Sequence, residues 1–247
     1  MAVITFDRPA RRNAMGYAML AEFTDAVDRA GQDRVVRAVI VTGAGGAFCA
    51  GTDLSDLAST PTGERASRAP RRDTANWLLV SCPKPVIGAV DGPAVGMGAE
   101  FATQCDVRVA STTARFAWNF VLRGLIPDTG AGTFLLPRLI GSTEALRLLY
   151  SGEFLSAEDA LRVGFVSAVV EPSGLLEAAR AEAERFVAGS PFAIERTKRL
   201  FYAAMGADVA AHLASTGAAL GECFRSDDHR EGVAAFLEKR AAQFSGT

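Results

Sequence analysis

The spacing of apolar positions changes partway along the chain. In the first part, short and nearly continuous apolar runs are typical of strands buried on both faces. They predict strands at residues 2–6, 35–43 and 84–92, and a further short strand in the segment CDVRVAS. From residue 128 onward the apolar positions recur at helical spacing, predicting helices at residues 175–188, 191–205, 209–224 and near 229–244. This order predicts an α/β core followed by a helical C-terminal region.

Three local signals refine this outline. Asn13 precedes apolar residues at helical spacing and is predicted to be a helix N-cap. The segment Ser156-Ala-Glu-Asp159 resembles a capping box in which Asp replaces the usual Glu or Gln. The polar segment 55–72 contains Pro61, Gly63 and Pro70, and it predicts a mobile loop over a site.

Composition and charge exclude several classes of function. The 247 residues are 49% hydrophobic and 22% charged, as in an ordinary folded domain. The net charge of −2 favours neither nucleic acid nor an anionic membrane as a partner. No apolar stretch is long enough to span a bilayer, and the first residues do not form a signal peptide. Four scattered cysteines predict reduced thiols in a cytoplasmic protein, with no metal site or redox cofactor.

Two glycine-rich turns follow predicted strands, at residues 43–51 and 92–98. The dinucleotide fingerprint fails in the first turn, because Phe48 occupies the position of the third glycine. A phosphate-binding P-loop is excluded in both, since neither contains Gly-Lys-Ser/Thr. Two such strand ends can instead aim backbone N–H groups at one point and form an oxyanion hole. On spacing alone, a pair of tight turns without a ligand is an equal alternative.

Four segments of the chain form a recognisable set of motifs. They are the opening stretch 4–14, Phe48-Cys-Ala-Gly-Thr-Asp-Leu54, the stretch 84–100 with Cys105-Asp106, and the ending stretch 231–240. In this order they resemble the signatures of the enoyl-CoA hydratase/isomerase (crotonase) superfamily. The resemblance implies a crotonase (ClpP/crotonase-like) α/β fold of repeated ββα units. It implies a core at residues 1–190 and a helical region at 191–247 that builds homotrimers or hexamers. The usual first strand of the opening hairpin is missing, so a shortened N-terminus is expected.

The resemblance also implies a set of site residues. The backbone N–H groups of Thr52 and Met97 would form the oxyanion hole for a thioester enolate. The acyl-CoA pocket would be lined by Ala10, Arg12, Ala14, Ala50, Asp53, Leu54, Gly96, Phe120, Phe236 and Lys239. Arg12 and Lys239 would hold phosphate groups; without the resemblance, both are better explained as solvated surface charges. Coenzyme A enters only as part of the substrate.

The number and position of carboxylates in the predicted pocket distinguish a hydratase from an isomerase. Glu100 lies where hydratases of the family keep their first catalytic glutamate; the alternative is an acid complementing a helix dipole. The position of the second glutamate is filled by Phe120, which cannot exchange a proton. Asp128 offers a replacement, and the pattern is nearest to the isomerase of phenylacetate degradation. The alternative for Asp128 is a helix N-cap after Pro127.

These features predict an acyl-CoA isomerase in which Asp128, with or without Glu100, transfers the proton. A hydratase using both acids, and a protein that binds acyl-CoA without efficient chemistry, remain alternatives. A cysteine thioesterase based on Cys49 is disfavoured, since no histidine lies near it in sequence. Apolar neighbours such as Trp118, Phe120 and Val121 are expected to raise the pKa of the nearby carboxylate. Acyl-pocket candidates that core packing explains equally well are Tyr17, Leu57, Trp77, Trp118 and Phe134.

Overall fold

The computed structural model describes residues 1–53, 55 and 77–247. Leu54, Leu57 and the predicted loop 55–72, apart from Ser55, therefore lie outside the described residues. The described strands are β1 (Ala2–Phe6), β2 (Val39–Gly43), β3 (Val86–Val90), β4 (Pro93–Val95), β5 (Val107–Ser111), β6 (Arg115–Ala117), β7 (Leu155–Ser156) and β8 (Ala168–Val170).

The described helices alternate with these strands and then follow them. They are α1 (Tyr17–Gln32), α2 (Leu78–Ser81), α3 (Met97–Gln104), α4 (Ala131–Phe134), α5 (Leu136–Ile140), α6 (Ser142–Ser151), α7 (Ala157–Arg162), α8 (Leu175–Val187), α9 (Pro191–Ala203), α10 (Val209–Arg225) and α11 (Asp227–Glu238). Short 3-10 turns lie at Pro9–Arg11, Asn119–Arg123, Pro172–Gly174 and Ala204–Gly206. Among the helices that the structure describes, none combines the length and apolarity needed to cross a bilayer.

Two sheets organise the strands. The main sheet has the order β1-β2-β3-β5-β8 and is parallel throughout. The smaller sheet has the order β4-β6-β7, with β4 parallel to β6 and β6 antiparallel to β7. In sequence, β3 and β4 are followed directly by α3, so the chain forms a ββα unit that spans both sheets. The predicted α/β class is confirmed.

Alternate residues of the main sheet face two separate parts of the core. Val39 and Val41 of β2 belong to the larger cluster, which includes Phe23 of α1. Ile40, between them, belongs to a second cluster that contains Ala179 and Ala183 of α8. Because both faces are covered, the strand is continuously apolar, which is the pattern that made it visible in the sequence.

A buried ion pair joins the C-terminal helices to the core. Lys198 of α9 contacts Asp106, which lies between α3 and β5, with Nζ 2.8 Å from Oδ2. The same ammonium group donates to the carbonyl oxygens of Leu79 and Lys84, each at 3.0 Å. Tyr202 donates its hydroxyl to the other carboxylate oxygen of Asp106 at 2.8 Å. These contacts satisfy all three protons of the ammonium group.

The last helices leave a large apolar surface open to solvent in the protomer. It is formed by exposed residues of α10 and α11, namely Val209, Leu213, Leu220, Phe224, Val233, Phe236 and Leu237. Exposed apolar residues concentrated on neighbouring helices are typical of interaction sites in folded proteins.

Most predicted helices and strands are confirmed, but some begin or end at other residues than predicted. The strand predicted from residue 35 begins at Val39, and Val35 is 83% exposed. The helix predicted to reach residue 244 ends at Glu238, because Lys239 adopts a left-handed conformation with φ 56°. Ser156 caps α7 as predicted, accepting the Asp159 N–H at 3.1 Å and donating to its carboxylate at 2.9 Å.

The prediction that Asn13 is a helix N-cap is wrong. Helix α1 begins at Tyr17, and its N-cap is Gly16. Asn13 is instead fully buried with φ 57°, and its amide donates to the carbonyl oxygens of Ala44 (2.9 Å) and Ala47 (2.6 Å). Asparagine tolerates the left-handed region better than most residues. Its side chain therefore connects the β1–α1 turn to the first glycine-rich turn.

Candidate active site

The two glycine-rich turns lie side by side. Cys49 pairs with Ala94: the Cys49 N–H donates to the Pro93 carbonyl at 3.1 Å, and the Val95 N–H donates to the Cys49 carbonyl at 2.9 Å. Thr52 and Met97 each lie three residues after this pair, so the register places them at equivalent positions of neighbouring segments.

Two glycines make this close approach possible. A Cβ atom on Gly98 would overlap the carbonyl oxygen of Cys49. Gly51 has φ +95°, a conformation that residues with a side chain rarely adopt. Any larger residue at either position would force the two segments apart.

The backbone N–H groups of Thr52 and Met97 are available to a ligand. Met97 is the first residue of α3, so its N–H has no acceptor within the helix. Within the described residues, neither N–H donates to another backbone group. By contrast, the N–H of Asp53, next to Thr52, donates to the Met15 carbonyl, and the N–H of Gly96, next to Met97, donates to the Ala117 carbonyl. The N-terminus of α3 also adds a partial positive charge. Two such donors can stabilise an oxygen that becomes negative during a reaction.

Glu100 lies in the first turn of α3 and is completely buried. Its Oε2 accepts the hydroxyl of Thr129 at 2.5 Å, and its Oε1 accepts the N–H of Gly132 at 2.8 Å. Burial raises its pKa to about 7, and the negative charge of Asp128 adds to this effect. The hydrogen bonds from Thr129 and Gly132 lower the pKa and offset part of the rise. Glu100 therefore changes its charge near neutral pH, but both of its oxygens already have partners.

Asp128 is placed differently. The helix that follows it, α4, has Gly130 at its N-cap, so the helix-cap alternative for Asp128 is wrong. Its surface is open to solvent, yet enough protein surrounds the carboxyl to raise its pKa to about 6, as predicted. Protein therefore surrounds part of the carboxyl, while the residue keeps its contact with solvent. The charge of Asp128 also raises the pKa of Glu100 and of Cys49, so its carboxyl lies near both.

Phe120 forms an apolar wall beside the second turn. It is buried, and its Cζ lies 3.8 Å from the position that a Cβ would take on Gly96. Asn119 Oδ1 lies 3.9 Å from the same point, so an amide stands next to the ring. Sequence reasoning missed Asn119, since a lone polar residue in a short turn carries no pattern.

A second group that sequence reasoning missed surrounds Thr129. Gln104 donates to the Thr129 hydroxyl at 3.3 Å, and the indole N–H of Trp77 donates to the Thr129 carbonyl at 3.0 Å. The ring of Trp77 packs against Phe134 with centroids 5.1 Å apart. The only signal for Thr129 in the sequence was its position next to Asp128.

The opening segment lies beside the first turn, as its predicted role in the acyl-CoA pocket requires. The Arg12 carbonyl accepts the N–H of Ala50 at 3.0 Å. Arg8 donates to the carbonyl of Ala14 at 2.8 Å and to the carboxylate of Asp53 at 3.1 Å.

Asp53 is held mainly by protein partners. Besides Arg8, it accepts the hydroxyl of Ser55 at 2.5 Å. Ala10 lies in the adjoining 3-10 turn and is exposed, as is the side chain of Arg12. Leu54 lies outside the described residues.

Two predicted pocket residues are remote in sequence and exposed. Phe236 lies on α11, and Lys239 follows it as the C-cap. Throughout residues 1–53, 55 and 77–247, no hydrogen bond, ion pair or ring contact joins either of them to the two turns. Within one protomer the structure does not bring them into the site.

The cysteines contribute no reactive thiolate to the site. Cys49, Cys82 and Cys105 are buried and free, and Cys223 is half-buried and free. Burial raises the pKa of Cys49 to about 12, which disfavours the thiolate that a nucleophile requires. In the part of the chain that the structure describes, no group of His, Cys, Asp and Glu side chains is arranged to hold a metal ion.

The parallel α/β fold, two available N–H donors and two carboxylates of raised pKa define a class of enzyme. Such enzymes hold a carbonyl oxygen with backbone groups while a carboxylate moves a proton. Comparison with known families agrees: residues 1–247 match the family model described as enoyl-CoA hydratase/isomerase. The chain belongs to this family, within the crotonase superfamily, and is an enzyme of it.

Relatives and solved structures cover nearly the whole chain. It is 38% identical over 241 residues to a short-chain-enoyl-CoA hydratase of Clostridium acetobutylicum, covering 97% of this chain and 92% of that protein. It is 36% identical over 247 residues to the 1,2-epoxyphenylacetyl-CoA isomerase of Escherichia coli, covering 98% of this chain and 94% of that protein. The structure of an enoyl-CoA hydratase from Bacillus anthracis superposes with a TM-score of 0.93 at 32% identity, covering 99% and 95%. The predicted crotonase fold is confirmed.

Proposed function

We propose that this protein is an acyl-CoA isomerase that moves a double bond through a thioester enolate. The observation that carries the proposal is the difference between the two carboxylates: Asp128 is exposed to solvent, whereas Glu100 is buried with both oxygens bonded. One accessible carboxylate suffices to move one proton between two carbon atoms. Adding water requires a second acid-base group. The family resemblance places that group at position 120, where this chain has a phenylalanine.

The proposed steps balance with the residues present. The ionised carboxylate of Asp128 removes a proton from C2 of a 3-enoyl thioester. The electrons of the C–H bond move onto the thioester oxygen, which the N–H groups of Thr52 and Met97 stabilise as an enolate. Protonated Asp128 then returns the proton to C4, and the double bond comes to rest between C2 and C3.

An Asp128→Asn variant tests this role. Loss of the exposed carboxylate of the candidate site is expected to lower turnover by at least about a hundredfold, the usual contribution of a positioned acid-base group. Binding of the CoA ester should change little, because the amide keeps the size of the side chain. Turnover is followed by mass spectrometry of a 3-enoyl-CoA ester in deuterated water. The matched control is Asp25→Asn, which removes an exposed carboxylate from α1. Retained turnover in Asp128→Asn would refute the assignment.

A hydratase is the second candidate, supported by relatives that carry hydratase names and by the Glu100 pKa of about 7 beside Asp128. Gain of one water mass from a 2-enoyl-CoA ester by the wild-type protein would establish it. The variant Phe120→Glu separates the candidates further. If the missing acid is what prevents hydration, this variant should add water to an ester that the wild type only isomerises.

The substrate and the assembly belong to the same proposal. The segment around Arg12 and Ala50 would hold the coenzyme A part, as would Asp53 and Gly96. Phe236 and Lys239 would reach the site of a neighbouring copy in a cytoplasmic homotrimer or hexamer. The open apolar surface of α10 and α11 supports an assembly of this kind. Lys239→Ala should then raise KM for the CoA ester with little change in kcat, since it removes a phosphate contact only.

A further inference from the structure

Thr129 connects the two carboxylates of the site. It follows Asp128 in the chain, and its hydroxyl lies 2.5 Å from Glu100 Oε2. Its carbonyl is fixed separately by the indole N–H of Trp77 at 3.0 Å. Both the backbone and the side chain of this residue are therefore tied to their surroundings.

The surrounding groups determine where the hydroxyl proton points. The Nε2 of Gln104 and the N–H of Ala131 both approach the Thr129 hydroxyl oxygen, each at 3.3 Å. Both groups are donors, so the oxygen accepts from them. The orientation of the Gln104 amide is set by its Oε1, which accepts the N–H of Leu79 at 3.4 Å. The single O–H of Thr129 is left to donate to Glu100.

We propose that Thr129 is a positioning residue, which holds Glu100 turned toward α4 and fixes Asp128 as the carboxylate that faces the substrate. This inference rests on the proposed function for the role of Asp128, but its account of Glu100 does not depend on turnover. Gly132 completes the arrangement by donating to the other oxygen of Glu100 at 2.8 Å. With both oxygens bonded, Glu100 cannot rotate toward the cleft without losing two hydrogen bonds.

The same bond influences the charge of Glu100. A hydroxyl that donates to an ionised carboxylate stabilises the charged form and lowers its pKa. Among the groups that surround Glu100 in the described residues, Asp128 is the charged one, and the Cys49 thiol lies near Asp128. Removing the hydroxyl should therefore raise the pKa of Glu100. It should leave the ionisation of Asp128 near pH 6 in place, because Glu100 is already neutral there.

Three variants of Thr129 and one control test the proposal. Thr129→Val keeps the shape without the hydroxyl, Thr129→Ala removes it in a smaller residue, and Thr129→Ser restores it. The matched control is Thr133→Val in the following helix α4, whose hydroxyl is exposed and donates to the Gly130 carbonyl instead. The Glu100 pKa is measured by carbon-13 NMR with labelled glutamate, and the signal is assigned by its loss in Glu100→Gln.

The expected result is a rise of the Glu100 pKa by about one pH unit in Thr129→Val and Thr129→Ala, the size expected for a hydrogen bond to an ionised group. Thr129→Ser and Thr133→Val should match the wild type. In the isomerase assay, the two apolar variants should lower kcat about tenfold with little change in KM, as expected for lost positioning.

An unchanged Glu100 pKa in folded Thr129→Val or Thr129→Ala would overturn the proposal, whatever the turnover. The wild type offers an independent measurement. Between pH 7.5 and 8.5 the Thr129 hydroxyl proton should be protected from exchange with solvent, and a hydroxyl proton without this protection would equally overturn the proposal. If the wild type catalyses no reaction while these NMR results hold, the proposed function fails and the role of Thr129 toward Glu100 stands.

Discussion

Replacing Glu100 by glutamine removes a charge that the fold buries completely while keeping the shape of the side chain. In the folded protein the pKa of Glu100 is raised from 4.5 to about 7. A raised pKa means that the folded state binds the proton more tightly than the unfolded state. The contribution of Glu100 to the stability of the wild type is therefore greatest at low pH, falls as the pH rises from 4.5 to about 7, and is constant above that range.

The size of the effect follows from the same values. Each pKa unit corresponds to about 1.4 kcal/mol, so the shift from 4.5 to about 7 costs the wild type about 3 kcal/mol of unfolding free energy above neutral pH. Glutamine is neutral at every pH and lacks this decline. The difference in unfolding free energy, Glu100→Gln minus wild type, should thus become more positive by about 3 kcal/mol between pH 4.5 and 8.

Urea denaturation followed by circular dichroism at a series of pH values measures this difference. The protein concentration must be the same throughout, because association also stabilises the folded state. Glu184→Gln, which removes an exposed carboxylate from α8, serves as the control and should give a constant difference. A difference in unfolding free energy between Glu100→Gln and the wild type that stays constant with pH would refute the view that burial raises the pKa of Glu100.

Three further changes test other parts of the structure. Gly98→Ala places a Cβ against the Cys49 carbonyl, so it should destabilise the fold by about 1–3 kcal/mol and reduce turnover, measured by denaturation and by the isomerase assay; wild-type values for both would contradict the close approach. Lys198→Met leaves Asp106 without its buried partner and should cost about 3 kcal/mol in the same denaturation experiment, against no change for the exposed Arg185→Met. In the proposed homotrimer or hexamer, the double variant Leu213→Glu with Phe224→Glu charges the open surface of α10 and should reduce the mass found by light scattering to that of the 26.0 kDa protomer; a mass equal to that of the wild type would contradict a role of this surface in assembly.

The sequence was sufficient for several elements whose pattern lies in neighbouring residues of the chain. Strands β2 and β3 were visible because burial on both faces makes them nearly continuously apolar. Strands β1 and β5 were visible as short runs rich in apolar residues, although β1 has exposed positions and β5 contains Arg108. The late helices were visible from their spacing, and the cap at Ser156 from its motif. The glycine turns and the acids Glu100 and Asp128 were recognisable as candidates, since residue type alone limits which chemistry a position can perform.

Strands β4, β6, β7 and β8 could not be predicted, because they contain only two or three residues each. A period cannot be recognised over such a length, and these strands form only because partners from other parts of the chain pair with them.

The arrangement of the candidate site was decided by tertiary structure alone. Asn13 reads as a helix cap in sequence, but the carbonyl groups it bonds lie more than thirty residues away. The division of roles between Glu100 and Asp128 depends on which one Thr129 and Gly132 enclose. Burial and hydrogen bonding by residues distant in sequence decide how readily each acid gives up its proton. The sequence therefore determined which residues are able to react, and the packing of the fold decided which of them is buried and which is exposed.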